Sequence, residues 1–238
     1  MNDWFGSMNA QDHLSDSTVQ SLLDDGFVII PGAVPEQELA GLSHCYDQVV
    51  QHADNTDISI GGSTTRISDF VNRSAEFDHL YLFPPILNAC CRVIGEPFKL
   101  STMHARTLRP HTLAQQLHVD FASDAQGFPM LGFIYIIDEF RSENGATCFI
   151  PGSQGAPSAP EGARVVPACG PAGSLILFNG SMWHGHGPNE TDQPRRSLQG
   201  AYIRRTGNSG GNLPSRMLPQ TLERIGPLAK YLLDVEYQ

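Results

Sequence analysis

The chain has 238 residues, 40% of them hydrophobic and 17% charged, a balance that supports one packed domain and excludes a disordered or fibrous protein. Its formal charge of −10, with 15 Lys and Arg in no run longer than a pair, argues against a nucleic-acid partner. No apolar stretch reaches the ~18 residues of a membrane span, and 23 Gly with 17 Pro point to short elements joined by tight turns rather than a helical bundle.

Met1 to Asp16 has neither a basic start nor an apolar run, so no signal or transit peptide is read and a cytoplasmic protein is expected. Leu14 to Leu23 reads as a helix stopped by Gly26, and Phe27-Val28-Ile29-Ile30 as a buried strand closed by Pro31-Gly32. Pro35 opens a second helix, because Leu39, Leu42, Tyr46 and Val49 recur at three- and four-residue steps. His52 to Arg73 is polar and without clear periodicity, which predicts a lid or binding loop. Pro84 to Ile94 is helical and ends at Gly95.

From Phe98 the period changes. Phe98–Leu108, Leu131–Ile137, Thr147–Ile150, Arg164–Val166, Ser174–Phe178 and Ser197–Arg204 are β-rich segments separated by turn residues. A Gly/Ser-rich stretch after Arg205 leads into a helix from Pro219 to Leu233. Helices followed by six or more short strands give an α+β fold, a double-stranded β-helix (jelly roll) with N-terminal buttressing helices. The expected layout is one domain over 1–238: a helical buttress with one strand and the lid loop at 1–96, the jelly roll at 97–205, and a C-terminal tail at 206–238. The five cysteines include no CxxC pair and read as reduced thiols.

Three features carry chemistry. In Gln116-Leu117-His118-Val119-Asp120 the histidine and aspartate are two apart, so on a strand both leave the same face and converge on one metal. The core strand Leu175 to Phe178 then runs through a turn into His184-Gly185-His186, offering a further histidine. Two histidines and one carboxylate on one face of an octahedron suit iron(II) with three open positions, whereas zinc usually wants a closed tetrahedron or one open site. Third, Arg195-Arg196 opens the last strand. A guanidinium there can clamp a carboxylate through two parallel hydrogen bonds, and parity sends one arginine to each face, with Ser197 and Gln199 sharing the face of Arg195.

The ordered motifs Asp25 to Gly32, Leu117 to Asp120, Asn144 to Ser153 and His184 to Arg195 together resemble the phytanoyl-CoA dioxygenase family. That resemblance covers nearly the whole chain and implies an iron(II)- and 2-oxoglutarate-dependent dioxygenase that hydroxylates a small organic molecule with O2, releasing succinate and CO2. It matches His118, Asp120 and His184 to the iron ligands and Arg195 to the residue that grips the distal carboxylate of 2-oxoglutarate. His184 is preferred to His186 because the family histidine lies five residues before an asparagine and eleven before the arginine, as His184 does before Asn189 and Arg195. Gln154 stands where many members have histidine.

Thr147, Gln116, Trp183 and Ser197 are further candidates for contacts with the co-substrate. His104 and Arg106, which share a face of their strand, and Arg66 in the expected lid are candidates for the substrate. Three rival readings stay open: a halogenase, which Asp120 disfavours by filling the halide position; a non-catalytic jelly-roll binding module; and a zinc hydrolase on a similar barrel, which leaves Arg195 unexplained.

Overall fold

Short side-chain caps set the helix starts at the N-terminal end of the chain. Asp3 accepts the Gly6 N–H at 2.8 Å and begins α1 (Trp4–Asn9), an element with no periodic signal in the sequence. Ser15 accepts the Thr18 N–H to begin α2 (Asp16–Asp24), and Gly26, at φ +83°, turns the chain into β1 (Phe27–Ile30). α3 (Glu36–Gln51) follows Pro35. The computed structural model describes residues 3–208 and 212–235. Residues 209–211, within the Gly/Ser-rich stretch after Arg205, lie outside the described residues.

The segment 52–73 differs from its expectation as an irregular lid. It holds a hairpin, β2 (Ile58–Ile60) and β3 (Thr64–Ile67), and β3 pairs with the following long strand, so the first 96 residues contain three strands rather than one. The apolar alternation that marks a strand is missing because Thr64 and Thr65 are polar and Arg66 faces a polar cavity rather than a core. After α4 (Asp78–Tyr81) and α5 (Pro84–Val93) come β4 (Phe98–Leu108), β5 (Met130–Ile136), β6 (Thr147–Phe149), β7 (Val166–Pro167), β8 (Leu175–Asn179), β9 (His184–His186) and β10 (Arg195–Arg204). The expected C-terminal helix is two helices, α6 (Pro219–Arg224) and α7 (Pro227–Leu232). Ile225 is extended and Pro227 brings no backbone N–H, which breaks the run.

The strands form two antiparallel sheets, one of seven in the order β1-β8-β5-β10-β4-β3-β2 and one of three in the order β7-β6-β9. The outer face of the larger sheet, with Met103, Ala105, Tyr135, Leu177, Leu198 and Tyr202, packs on the helices in the main core. Leu232 and Leu233 are fully buried in the same core, so the C-terminal segment is part of the buttress rather than a loose tail. A second core between the sheets, of Ile134, Ile136, Phe149, Ile176, Phe178 and Met182, fills one half of the barrel. The other half is the cavity described below.

Gly200 marks how closely the main core is packed. It is paired with Phe133 across β10 and β5, and a Cβ at this position would overlap the Phe133 ring. Gly200→Ala is therefore expected to lower stability by about 1–3 kcal/mol, the usual cost of overpacking, as read by urea unfolding. Adding Phe133→Leu should recover part of that loss, because the clash is with the ring itself.

Candidate active site

The stretch from Gln115 to Asp120 is not the continuous strand that its spacing suggested. Only His118 makes a β-bridge, to His184, with the N–H of each bonded to the carbonyl of the other at 2.9 Å. The Asp120 and Phe121 N–H groups both donate to the Gly180 carbonyl, which bends the chain so that the Asp120 carboxylate faces the two imidazoles. His118 Nε2 is 3.6 Å from one Asp120 oxygen and His184 Nε2 is 3.5 Å from the other. The ring centroids of the two histidines are 4.5 Å apart.

Those distances exceed hydrogen bonds and match the roughly 3–4 Å between two ligands each about 2.1 Å from one ion. The tautomers agree. His118 Nδ1 is 3.1 Å from the Gln116 carbonyl and His184 Nδ1 is 3.0 Å from the Met182 carbonyl. A carbonyl only accepts, so each imidazole carries its proton on Nδ1 and turns the Nε2 lone pair toward Asp120. Burial works to raise the Asp120 carboxyl, but when the imidazoles carry a second proton, on Nε2, they outweigh it and hold the group below the usual carboxylate range. Asp120 in turn raises the His118 imidazole, against the effect of burial. These three residues offer the one metal-sized cluster of His, Cys, Asp and Glu ligand atoms among the described residues.

His186 follows two residues on but is already bonded at both nitrogens. Nδ1 is 2.8 Å from the Gly187 carbonyl and Nε2 is 2.8 Å from the Ser63 hydroxyl, so the ring ties the β2–β3 hairpin to β9. His184 instead packs against the rings of Phe178 and Phe149, at 4.9 and 5.9 Å.

The cavity in front of this cluster has a volume of about 250 Å³, and Arg195 forms part of its far wall. Only 1% of Arg195 is exposed. Its guanidinium lies over Phe140 at 4.0 Å and donates to the Gly145 carbonyl at 2.9 Å, while Nε has no partner and no described acid pairs with it. Burial, and next the charge of Arg106, bring Arg195 down to about 9, so the site favours an incoming carboxylate. Arg196 turns the other way, to Asp138 at 2.7 Å and Asp47 at 2.6 Å, as strand parity required. Asn189 explains the fixed spacing before Arg195: its side chain bonds to Arg109, Thr191 and Gln193 and closes the turn leading into β10.

Thr147, His104, Arg106 and Arg66 all line the same cavity. Gln116 does not: its side chain is exposed, and its contribution is the carbonyl that orients His118. The neighbouring Gln115 is the one that enters, accepting from Arg106 at 3.1 Å: its N–H bonds to the His186 carbonyl while the His118 N–H bonds to the His184 carbonyl, so three residues on this side span two on β9 and the parity assumed for a straight strand shifts before His118. Ser197 is fully buried behind the wall, where it accepts from Arg195 and Gln199 and supports the arginine rather than facing the cavity. Trp183 bonds to the Ala156 carbonyl outside the cavity. Gln154, at the position where the resemblance implied a histidine, caps α2, donating to the Leu23 and Asp24 carbonyls. Phe140 had no signal in the sequence, whereas Gln199 was readable from its parity with Arg195.

Residues 22–197 match the family described as phytanoyl-CoA dioxygenase (PhyH). The chain belongs to the phytanoyl-CoA dioxygenase family. Among curated relatives, dioxygenase trt7 of Aspergillus terreus is 34% identical over 157 residues, covering 58% of this chain and 54% of trt7. This chain thus spans about half the length of that relative. The fold is shared with the epimerase SnoN of nogalamycin biosynthesis, crystallised with Fe3+, α-ketoglutarate and nogalamycin RO, at TM-score 0.70 and 20% identity over 82% of this chain and 86% of SnoN. It is also shared with HygX of Streptomyces hygroscopicus, crystallised with nickel, 2-oxoglutarate and hygromycin B, at TM-score 0.68 and 17% identity over 82% of this chain and 90% of HygX. No helix among the described residues is long and apolar enough to cross a membrane.

The two histidines of β9 give opposite expectations in a metal titration. His184→Ala should weaken binding of Fe(II) or Zn(II) by well over the ~10–100-fold typical of losing an outer-shell partner, because it removes a ligand atom. His186→Ala should stay within that range, since it removes only the bonds to Ser63 and to the Gly187 carbonyl.

Proposed function

We propose that this chain is an iron(II)- and 2-oxoglutarate-dependent dioxygenase that hydroxylates a small organic molecule. One observation carries this reading: a buried arginine without a counter-ion faces, across one cavity, two imidazole lone pairs and a carboxylate. The donor set fits the metal, because two neutral nitrogens and one carboxylate leave half an octahedron open. His118, Asp120 and His184 would hold the ion. When bound, iron(II) supplies the open positions for the keto acid end of the co-substrate and for O2, together with the redox chemistry that releases succinate and CO2.

The protein's own contribution is orientation and exclusion of water. The carbonyls of Gln116 and Met182 fix the imidazole planes, so the ligand directions are set before a metal arrives. Arg195 would hold the far carboxylate of 2-oxoglutarate, with Phe140 beneath the guanidinium and Thr147 beside it as a hydroxyl donor. Ser197 keeps that guanidinium in place from behind. The Phe149 and Phe178 rings keep water from the His184 side. Asp120 fills the ligand position that a halogenase leaves to halide, which favours hydroxylation.

Anaerobic addition of Fe(II) and then 2-oxoglutarate should produce the visible charge-transfer band of the chelated complex, whereas a binding module without the metal site would give none. Arg195→Ala should keep the iron but weaken 2-oxoglutarate by about 2–5 kcal/mol, the cost of breaking a buried charge pair. Unchanged co-substrate affinity in that variant would rule out Arg195 as the clamp. Added chloride should leave the band of the unmodified protein where it is.

A further inference from the structure

The N-terminal helix takes no part in the site described above, yet it closes a second cavity. α1 packs against α5, and a cavity of about 160 Å³ lies between them, the turn before α5 and α7. Its walls are apolar: Trp4 and Met8 of α1, Leu82, Pro84 and Leu87 at and before the first turn of α5, and Leu228 of α7. The exposed residues Ser7, Gln11 and His13 stand at its edge.

One buried polar side chain interrupts this lining. Asn88 is 1% exposed, on a helix where the adjoining Leu87, Ala89, Cys90 and Cys91 are all buried. Its Nδ2 donates to the Gln11 carbonyl at 2.7 Å. A carbonyl only accepts, so this bond fixes the orientation of the amide and leaves Oδ1 as the end shielded from water with no partner among the described residues. The donors at the edge of the cavity are engaged elsewhere, Ser7 Oγ with the Asp3 carbonyl at 2.8 Å and His13 Nε2 with Gln11 Oε1 at 2.8 Å. An unmet buried acceptor is destabilising, whereas a leucine at this position would fill the space without that penalty. An amide kept in such a place is explained by a ligand that donates to it.

We propose that this cavity is a binding site, separate from the active site, for a neutral molecule about one ring in size that donates a hydroxyl or N–H to Asn88 Oδ1. The size follows from the volume, since an apolar cavity of ~150 Å³ holds one benzene molecule. Neutrality follows from the lining, which contains no Asp, Glu, Lys or Arg; the charged pair of the same linker, Asp12 and Arg92, is closed on itself at 2.8 Å. α5 packs on β5, the strand whose Phe133 and Ile134 line the active-site cavity, so an occupant stabilises the buttress behind that wall without entering it. The proposal goes beyond the dioxygenase reading and does not rest on it.

The test uses the full chain labelled with 15N, with and without saturating Zn(II) and 2-oxoglutarate. The chain has two tryptophans, and their indole N–H signals serve as reporter and control: Trp4 lines this cavity, whereas Trp183 bonds to the Ala156 carbonyl far along the chain. Trp183→Phe assigns the two signals. Phenol, toluene and benzoate are titrated. The expected result is a saturable shift of Trp4 alone with phenol, half complete at about 1 mM or below and unchanged by Zn(II) and 2-oxoglutarate. Benzoate, which brings a charge, should give no saturable shift. Asn88→Ala should weaken phenol about tenfold while leaving toluene as tight as before or tighter, as expected for losing one hydrogen bond. Leu228→Trp narrows the cavity from a half-buried position in α7 and should block both ligands, so it carries the test if the Asn88 variant does not fold.

Three results would overturn the proposal. One is a linear shift without saturation, or one that moves Trp4 and Trp183 together or persists in Leu228→Trp, which marks non-specific partitioning. Another is loss of the phenol response on adding Zn(II) and 2-oxoglutarate, which assigns phenol to the active-site cavity. The third is a folded Asn88→Ala variant that binds phenol as tightly as the unmodified protein, which leaves Asn88 the single task of tying the Gln11 linker to α5.

Discussion

Two backbone hydrogen bonds, from the His118 N–H to the His184 carbonyl and from the His184 N–H to the His118 carbonyl, join the loop before Asp120 to the smaller sheet. The segments they join are far apart in the chain, and neither has a metal site alone. The bridge brings the imidazoles side by side, and each ring is then turned by the carbonyl two residues before it, Gln116 for one and Met182 for the other. This repeated local geometry presents the Nε2 of each histidine to Asp120. Because it is made of backbone hydrogen bonds, the ligand directions depend little on surface side chains and are set by the fold before a metal binds.

The second organising constraint is how the barrel interior is divided. β5, β8 and β1 bring aliphatic and aromatic residues into the space between the sheets, while β3, β4 and the start of β10 bring Arg66, His104, Arg106 and Arg195. The apolar half is filled by buried side chains, and it anchors the smaller sheet through Phe149 and Met182. In the polar half, desolvating Arg195 without a counter-ion is costly, and stacking on Phe140 with the bond to the Gly145 carbonyl offsets only part of that cost. A site with unmet charge in a stable fold is a site prepared for a charged ligand.

The β2–β3 hairpin connects these two themes. It adds Arg66 to the cavity wall, and its turn is tied to the ligand strand by the Ser63–His186 hydrogen bond and to Arg109 through the Gly61 and Gly62 carbonyls. A segment that forms both the edge of the larger sheet and the rim of the cavity is well placed to distinguish one substrate from another.

Much of the protein was legible in the sequence because its signals are local. Helix starts at Pro and stops at Gly, the shift from a 3.6-residue to a 2-residue period, the His118–Asp120 spacing and the opposite faces of Arg195 and Arg196 all depend on residues within a turn or two of one another. What only the tertiary structure decided concerns residues far apart in the chain. The hairpin at 58–67 was hidden because its inner face meets polar side chains, so no apolar alternation marks it. Gln115 rather than Gln116 enters the cavity because one extra residue is accommodated between the backbone bonds of Gln115 to His186 and of His118 to His184. Phe140 meets Arg195 only through folding. Side-chain type and spacing identified the groups able to bind a metal and an acid; long-range backbone pairing decided which of them face one another, because direction in a sheet is set by the partner strand.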